Sequence, residues 1–335
     1  MNNERRKILI GLSSSLISMP TIITGQDNSW KSAEINVQDF GALGDGKTDD
    51  TKAILTASQT AFRRLYFPPG QYLFSGVPLK FKDAVIDASN AELINNSKGE
   101  PLFRVISGAR VSRSQIFVKS YRSLGDAGYF LEISGGLVSD CQIEVTRVDI
   151  RSSSGGVIKH HSQQISKSFN EGLYFTNIIG SRWDKKTDGP GAPMIDILSN
   201  FNSFSACNFS VRDVRLLSQS IFLKAVCSSD RGASFSQIKL HDMSVEKCDF
   251  GFVHFIGARM AGLVNIGMFD LKEVVSPLFA FEHAPLNKNS QGCYCRDIYR
   301  SSANFSGHGC DIMATKNSVE VDNYLAVGGM VRRRP

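Results

Sequence analysis

Val37-Gln38-Asp39-Phe40-Gly41-Ala42-Leu43-Gly44-Asp45-Gly46-Lys47-Thr48-Asp49-Asp50-Thr51-Lys52-Ala53-Ile54-Leu55-Thr56-Ala57 decides the fold, because it reads as a strand, a glycine-punctuated turn and a capped helix in immediate succession. Gly41, Gly44 and Gly46 around Asp45 fit a turn that needs left-handed backbone angles. Thr48, Asp49 and Asp50 offer cap oxygens and negative charge to the helix that follows. Ala53, Ile54, Ala57 and Ala61 then fall on one narrow apolar face. Cap and turn chemistry accounts for Asp45, Asp49 and Asp50, which therefore read as structural. Further on, Leu65-Tyr66-Phe67-Pro68-Pro69-Gly70-Gln71-Tyr72 reads as a short apolar strand, stopped by two prolines and restarted after a glycine turn.

Together the two pieces, residues 35 to 75, resemble the N-terminal signature of the pectate lyase superfamily, the group of polygalacturonase-like and tailspike-like proteins. The resemblance implies an all-β fold, a single-stranded right-handed parallel β-helix with an N-terminal capping helix that plugs the open end of the core. The expected division is a leader at 1–25, the cap at 30–75, coils over 76–330 and a basic tail at 331–335.

A chain of 335 residues is long for one compact core but ordinary for a solenoid, whose core grows along an axis. Of the formal charge of +6, residues 4–7 contribute +2 and Arg332 to Arg334 contribute +3, which leaves the body near +1. No basic stripe, and so no nucleic-acid partner, is implied. Seven cysteines form no C-x-x-C pair and are odd in number, which argues against a full disulfide framework and against zinc. Most read as small buried thiols, with Cys293 and Cys295 on one face of a strand.

Arg5-Arg6-Lys7 before Ile8-Leu9-Ile10 and a serine-rich apolar run to Gly25 has the basic and apolar regions of an export signal. Glu4 and Ile8 depart from the twin-arginine pattern that it resembles. The run is too short and polar to span a membrane, so the expected location is periplasmic or secreted, the alternative being an intracellular or phage leader.

Beyond the cap, short β-branched and aromatic runs alternate with Gly, Ser and Asn turns, a pattern of many short strands. A unit of apolar residue, one or two intervening positions and Asp recurs at Asp213, Asp242, Asp270, Asp297 and Asp322, with intervals of 29, 28, 27 and 25 residues. That period fits one β-helix coil. Asn177 begins what looks like an earlier unit, and the extra residues before Asp213 are assigned to a Gly/Pro-rich loop, Ser181 to Pro193. There Trp183 beside Asp184 either grips a sugar or folds onto the wall.

Counting forward from each Asp, Lys224, His254, Glu282 and His308 fall at +11, +12, +12 and +11. Stacked in register they form a ladder with rungs about 4.8 Å apart, where base and acid can move protons; otherwise they are a solvated polar row. Ser306-Gly307-His308-Gly309 resembles the G-H-G element of polygalacturonases, and Asp249 and Arg332 to Arg334 fall where that family has an Asp and an Arg-x-Lys. The family's aspartate pair is missing, since that region reads Ser276-Pro277-Leu278-Phe279-Ala280. Its inverting mechanism does not carry over.

Two chemistries remain. A glycoside hydrolase could use Asp249 with Glu282. A polysaccharide lyase would need a base, His254 or His308, and a cation, Lys224 or Arg259, to neutralise the carboxylate beside the abstracted proton. No metal or cofactor site is read in the sequence, and His160-His161 reads as a turn. The expected function is an exported protein that cleaves an envelope or extracellular polysaccharide. The alternatives are a non-catalytic glycan binder in polysaccharide assembly or export, and a prophage tailspike-like depolymerase, trimeric if so.

Overall fold

The computed structural model describes residues 34–334 apart from 61–62, 82–83, 106–109, 113, 135–136, 140, 163–172, 175–176, 187–190, 200–208, 219, 228–234, 284–291, 316–318 and 327–330. The leader therefore lies outside the described residues.

From Val85 onward each coil repeats one plan: a long strand, a turn, a short strand, and a return. Gln115–Ser123, Leu131–Ser134, Gln142–Ile150 and Ile158–Ser162 are two such coils in chain order. The long strands stack into a 14-stranded sheet and the short ones into a nine-stranded sheet, each in strict sequence order. All pairings between described strands are parallel. This is a right-handed parallel β-helix, the hand that chain twist imposes on parallel crossovers.

Inward positions recur every second residue and stack from coil to coil. Ile116, Ile143, Ile178, Val211, Leu240, Leu263 and Cys295 form one such column, each in register with the next. All are buried. Aromatic rings continue the stacking at the turns: Phe222 lies parallel to Phe252 at 5.5 Å, and Phe252 meets Phe279 edge-on at 6.0 Å. Cys141, Cys248, Cys293, Cys295 and Cys310 are all buried.

The first stretch forms the cap, with its local order refined. Val37–Phe40 is a 3-10 turn that Gly41 closes at φ 95°, Asp45–Asp49 is a short strand, and Thr51–Gln59 is the helix. Ile54 and Ala57 bury its inner face; Ala61 lies outside the described residues. Asp50 caps the helix only by position. Its carboxylate turns back to accept the amides of Leu43 at 2.7 Å and Gly44 at 3.3 Å, while Asp49 takes the amide of Thr51 at 3.0 Å. Asp45 accepts the amides of Lys47 and Thr48. All three carboxylates are occupied by the turn.

The five repeated aspartates do not share one rung position. Asp213, Asp242 and Asp297 sit at a left-handed corner in mid-strand, with φ of 59°, 57° and 54°. Asn265 and Asn323, not Asp270 and Asp322, hold that corner on the other two coils, at φ 54° and 50°. Asp270 belongs to the next corner, level with Lys247. Likewise Asn177 registers with Ser210 rather than Asp213. Asn and Asp tolerate this conformation better than other side chains, and here they also link coils. Asn265 Nδ2 donates to Asp242 at 2.7 Å, and Asn323 Nδ2 to Asp297 at 2.6 Å.

His160-His161 is strand, not turn: His160 is buried in the core and His161 points out. Arg332 to Arg334 belong to a last strand, Val331–Arg334, paired with Cys310–Thr315, where a free basic tail was expected.

Two stability predictions follow from these positions. Asn265→Ala places Ala at positive φ and removes an intercoil bond, so it should lower unfolding free energy by about 1–2 kcal/mol in urea titrations. Burial, then the neighbouring His161, pulls the His160 imidazole from 6.5 down to about 3. The unfolded chain binds that proton below pH 6.5 and the folded chain does not, so stability should fall as pH drops from 6.5 towards 3. His160→Leu should flatten that slope in melts recorded between pH 7 and 4.

Candidate functional site: an ionic row on the short-stranded wall

The outward positions of the short strands form two parallel rows. In the first, Arg104, Glu132, Lys159, Asp196, Lys224 and His254 are rung neighbours in unbroken succession. Neighbouring rungs are about 4.8 Å apart. From Arg104 to Lys224 the charges alternate in sign, as opposed pairs on adjacent strands favour. Glu132 bridges Arg104 at 3.3 Å and Lys159 at 3.6 Å. The second row, two residues along each strand, runs His161, Leu198, Val226, Ile256 and Glu282. Leu198, Val226 and Ile256 are half-buried and give an apolar strip beside the ionic one.

Two diagonals join the rows. His161 Nε2 lies 2.9 Å from Asp196 Oδ2, and His254 Nε2 lies 2.9 Å from Glu282 Oε1. Lys224 sits on the rung between them and forms no ion pair with a described residue. Thus two imidazole–carboxylate pairs flank one cation. All the paired groups keep about a fifth to a quarter of their side-chain surface open, from 21% for Asp196 and Glu282 to 27% for His254. They can meet a solute without unfolding.

The expected ladder is only partly the one the wall displays. Lys224 and His254 are true rung neighbours. Glu282 is two residues past the rung, which belongs to Ala280, and reaches His254 diagonally. His308 is off the wall, exposed in the turn before Cys310–Thr315, and Met313 takes its rung. The count slipped because the path from corner to wall is not constant: 11 residues from Asp213 to Lys224 and 12 from Asp242 to His254, but 15 from Asn265 to Ala280 and 16 from Asp297 to Met313. Asp249 lies in the turn after the long strand, where its carboxylate accepts the Lys272 amide at 3.0 Å. Arg259 falls in the short strand Ala258–Arg259, beside Ser236 and beyond the wall strand.

Trp183 is not a sugar grip. It is fully buried in the strand Asn177–Lys185, donates from Nε1 to the Val145 carbonyl at 2.9 Å and packs on Phe222. Asp184, nearly buried, pairs with Arg182 at 3.1 Å. Residues 181–185 of the expected loop are therefore strand, and residues 187–190 of it lie outside the described residues.

Asp196 and His161 escaped the sequence reading. The signal was available, since Ile158-Lys159-His160-His161 and Ile195-Asp196-Ile197-Leu198 place a charged residue one step after a core isoleucine, as Leu223-Lys224-Ala225 does.

A single chain whose strands stack coil upon coil, with a polar outer row, defines a parallel β-helix protein. Residues 34–179 match the family described as rhamnogalacturonase A/epimerase, pectate lyase-like. The match takes in the cap and the first coils, less than half of the 335 residues. Among curated relatives, alginate lyase 7 of Azotobacter vinelandii is 30% identical over 169 residues, covering 43% of this chain and 20% of that protein. Mannuronan C5-epimerase AlgE2 of the same organism is 27% identical over 169 residues, with 43% and 17% covered. The chain thus spans about a fifth of the length of these relatives. Of solved structures, Geobacillus virus E2 ORF18 aligns over 90% of this chain and 60% of its own at 14% identity and a TM-score of 0.49. No helix among the described residues is long and apolar enough to cross a membrane.

Because these pairs are on the surface, they contribute little to folding. Lys224→Ala, His254→Ala and Glu282→Gln should each change unfolding free energy by less than about 1 kcal/mol in urea titrations. By contrast, Arg300→Ala, which strips the guanidinium from the buried Asp311, should cost about 3–5 kcal/mol.

Proposed function

We propose that this chain is an exported protein that binds an acidic polysaccharide along the short-stranded wall and acts on a uronate residue there by proton abstraction. The observation that carries the reading is Lys224 in register with His254, with Glu282 holding the imidazole.

Glu282 accepts the Nε2–H of His254, which fixes the tautomer and leaves Nδ1 to carry the lone pair. That nitrogen takes the proton from the carbon beside the substrate carboxylate. Lys224 stabilises the charge that builds on the carboxylate as the bond breaks. The electron pair then forms the C4–C5 double bond as the C4–O bond breaks, and the departing oxygen takes a proton from the imidazolium or from water, which leaves an unsaturated uronate end. Reprotonation of the same carbon from the opposite face of the ring, by water, would instead invert it. The strip of Leu198, Val226 and Ile256 supports the C–H face of the sugar ring. The names of the curated relatives, an alginate lyase and mannuronan epimerases, agree with a uronate polymer as substrate.

The hydrolase route has less support, because the turn occupies Asp249. A non-catalytic glycan binder is the second reading, favoured by the self-pairing of Arg104, Glu132 and Lys159.

Purified chain incubated with alginate, polygalacturonate and neutral glucans should generate unsaturated-uronate absorbance or a changed epimer ratio with a uronate polymer alone. His254→Ala should lower that rate at least 10²-fold. Binding without absorbance, epimer change or new reducing ends would select the binder and contradict the chemistry.

A further inference from the structure

Around the corner from the ionic row, the outer face of the long sheet carries a groove of about 540 Å³ beside the cap. That is room for a saccharide of a few rings. Its floor and rim include Gln71, Asn90, Glu92, Lys119, Arg122 and Arg147. The cap strand Gly70–Phe74 forms one side, so the stretch that identifies the fold also builds this cavity.

The charges here are not balanced within the groove. Glu92 is taken by Arg122 at 2.6 Å and by Gln71 at 2.7 Å. Asp149, at the far rim, is taken by Arg151 at 3.0 Å, with Lys186 at 3.7 Å. Lys119 and Arg147 pair with no carboxylate among the described residues.

Arg147 also heads a column of three arginines on successive rungs, with Arg182 and Arg215. Like charges directly opposed on adjacent strands destabilise a sheet. Arg182 and Arg215 are relieved by Asp184 and Glu246. Arg147 is not. Folding gives no reason for an unrelieved guanidinium beside an ammonium at the mouth of a cavity; an anionic ligand would.

We propose that this groove is a second saccharide-binding site, separate from the ionic row, which seats a sugar carboxylate on Arg147 and Lys119. A planar guanidinium receives a carboxylate through two parallel hydrogen bonds. Asn90, Gln71 and Ser120 are placed for ring hydroxyls. The inference rests on the acidic-polysaccharide reading for its ligand class, but not on any chemistry at His254. A site of this kind would hold the polymer while the wall acts on another stretch of it, a gain in effective concentration rather than a new reaction.

The test is calorimetric titration of the full chain with alginate hexamers, with a neutral glucan hexamer and a sulfated oligosaccharide as the other arms. In Lys224→Ala protein, hexamer binding should persist, and adding Lys119→Ala with Arg147→Ala should weaken it at least tenfold. Arg147→Lys, which keeps charge but loses the fork, should fall between. Both side chains are exposed and unpaired, so melting temperatures should hold and a folding defect is separable.

If Lys224→Ala alone abolishes binding and the double variant matches the parent, the groove inference falls and the ionic row stands. If the parent binds no hexamer, the polysaccharide reading falls and the groove's ligand with it. Equal binding of the sulfated arm would overturn the carboxylate assignment.

Discussion

Everything that this protein presents to solvent depends on the register of the parallel ladder between successive coils. Residues about 28 positions apart become neighbours because each strand lies on the one before it with its pleat aligned, and a slip of one residue would turn each row inside out. Two devices hold that register. The isoleucine, valine and aromatic columns fill the core only when aligned, and the Asp–Asn bonds at the left-handed corners tie Asp242 to Asn265 and Asp297 to Asn323. The first is non-directional and large in sum. The second is small and specific.

The same register separates charges that serve the fold from charges left for a solute. Arg300, Asp311 and Tyr324 form a buried cluster near the last coils, with the Tyr324 hydroxyl donating to Asp311 at 2.9 Å. Lys185 is equally enclosed. Its ammonium donates to the Gly155 carbonyl at 2.7 Å and to that of Ala192, and burial pulls its pKa down to about 8. These interior groups are held by carbonyls and carboxylates within the coil. The outward rows keep one side open, and there Lys224, Lys119 and Arg147 have no counter-ion among the described residues.

The fold was legible in the sequence because its signals are local. Glycine spacing around Asp45 and the broken strand at Pro68-Pro69 are set by backbone sterics within a few residues. The site was legible only where the coil count was right. Lys224 and His254 came out as neighbours because Asp213 and Asp242 are true corners and the path from corner to wall is nearly equal on their coils, 11 and 12 residues, whereas from Asp297 to the wall it is 16. Glu282 was reached by a compensating error, since Asp270 belongs to a different corner and the side chain regains His254 only by a diagonal. Turn length is the quantity that period counting cannot supply: the corner-to-corner interval is 23 residues from Asp242 to Asn265 and 32 from there to Asp297. Trp183 was misplaced for another reason. Charged Arg182, Asp184 and Lys185 around it suggested a loop, whereas two of them face outward and Lys185 is buried with its charge on carbonyls. Asp196 and His161 were hidden because their two coils carry no corner aspartate from which to count.

The adjacency of residues 224 and 254 can be measured without reference to any substrate. Rung neighbours on parallel strands have Cα separations within the range a disulfide spans. A protein carrying Lys224→Cys with His254→Cys should therefore cross-link under mild oxidation, on a background in which Cys207 and Cys227 are replaced by Ser and the other five thiols are buried. Lys224→Cys with His308→Cys should remain reduced. Cross-linking of the second pair and not the first would place His308 on the wall, and would contradict both the register and the site built on it.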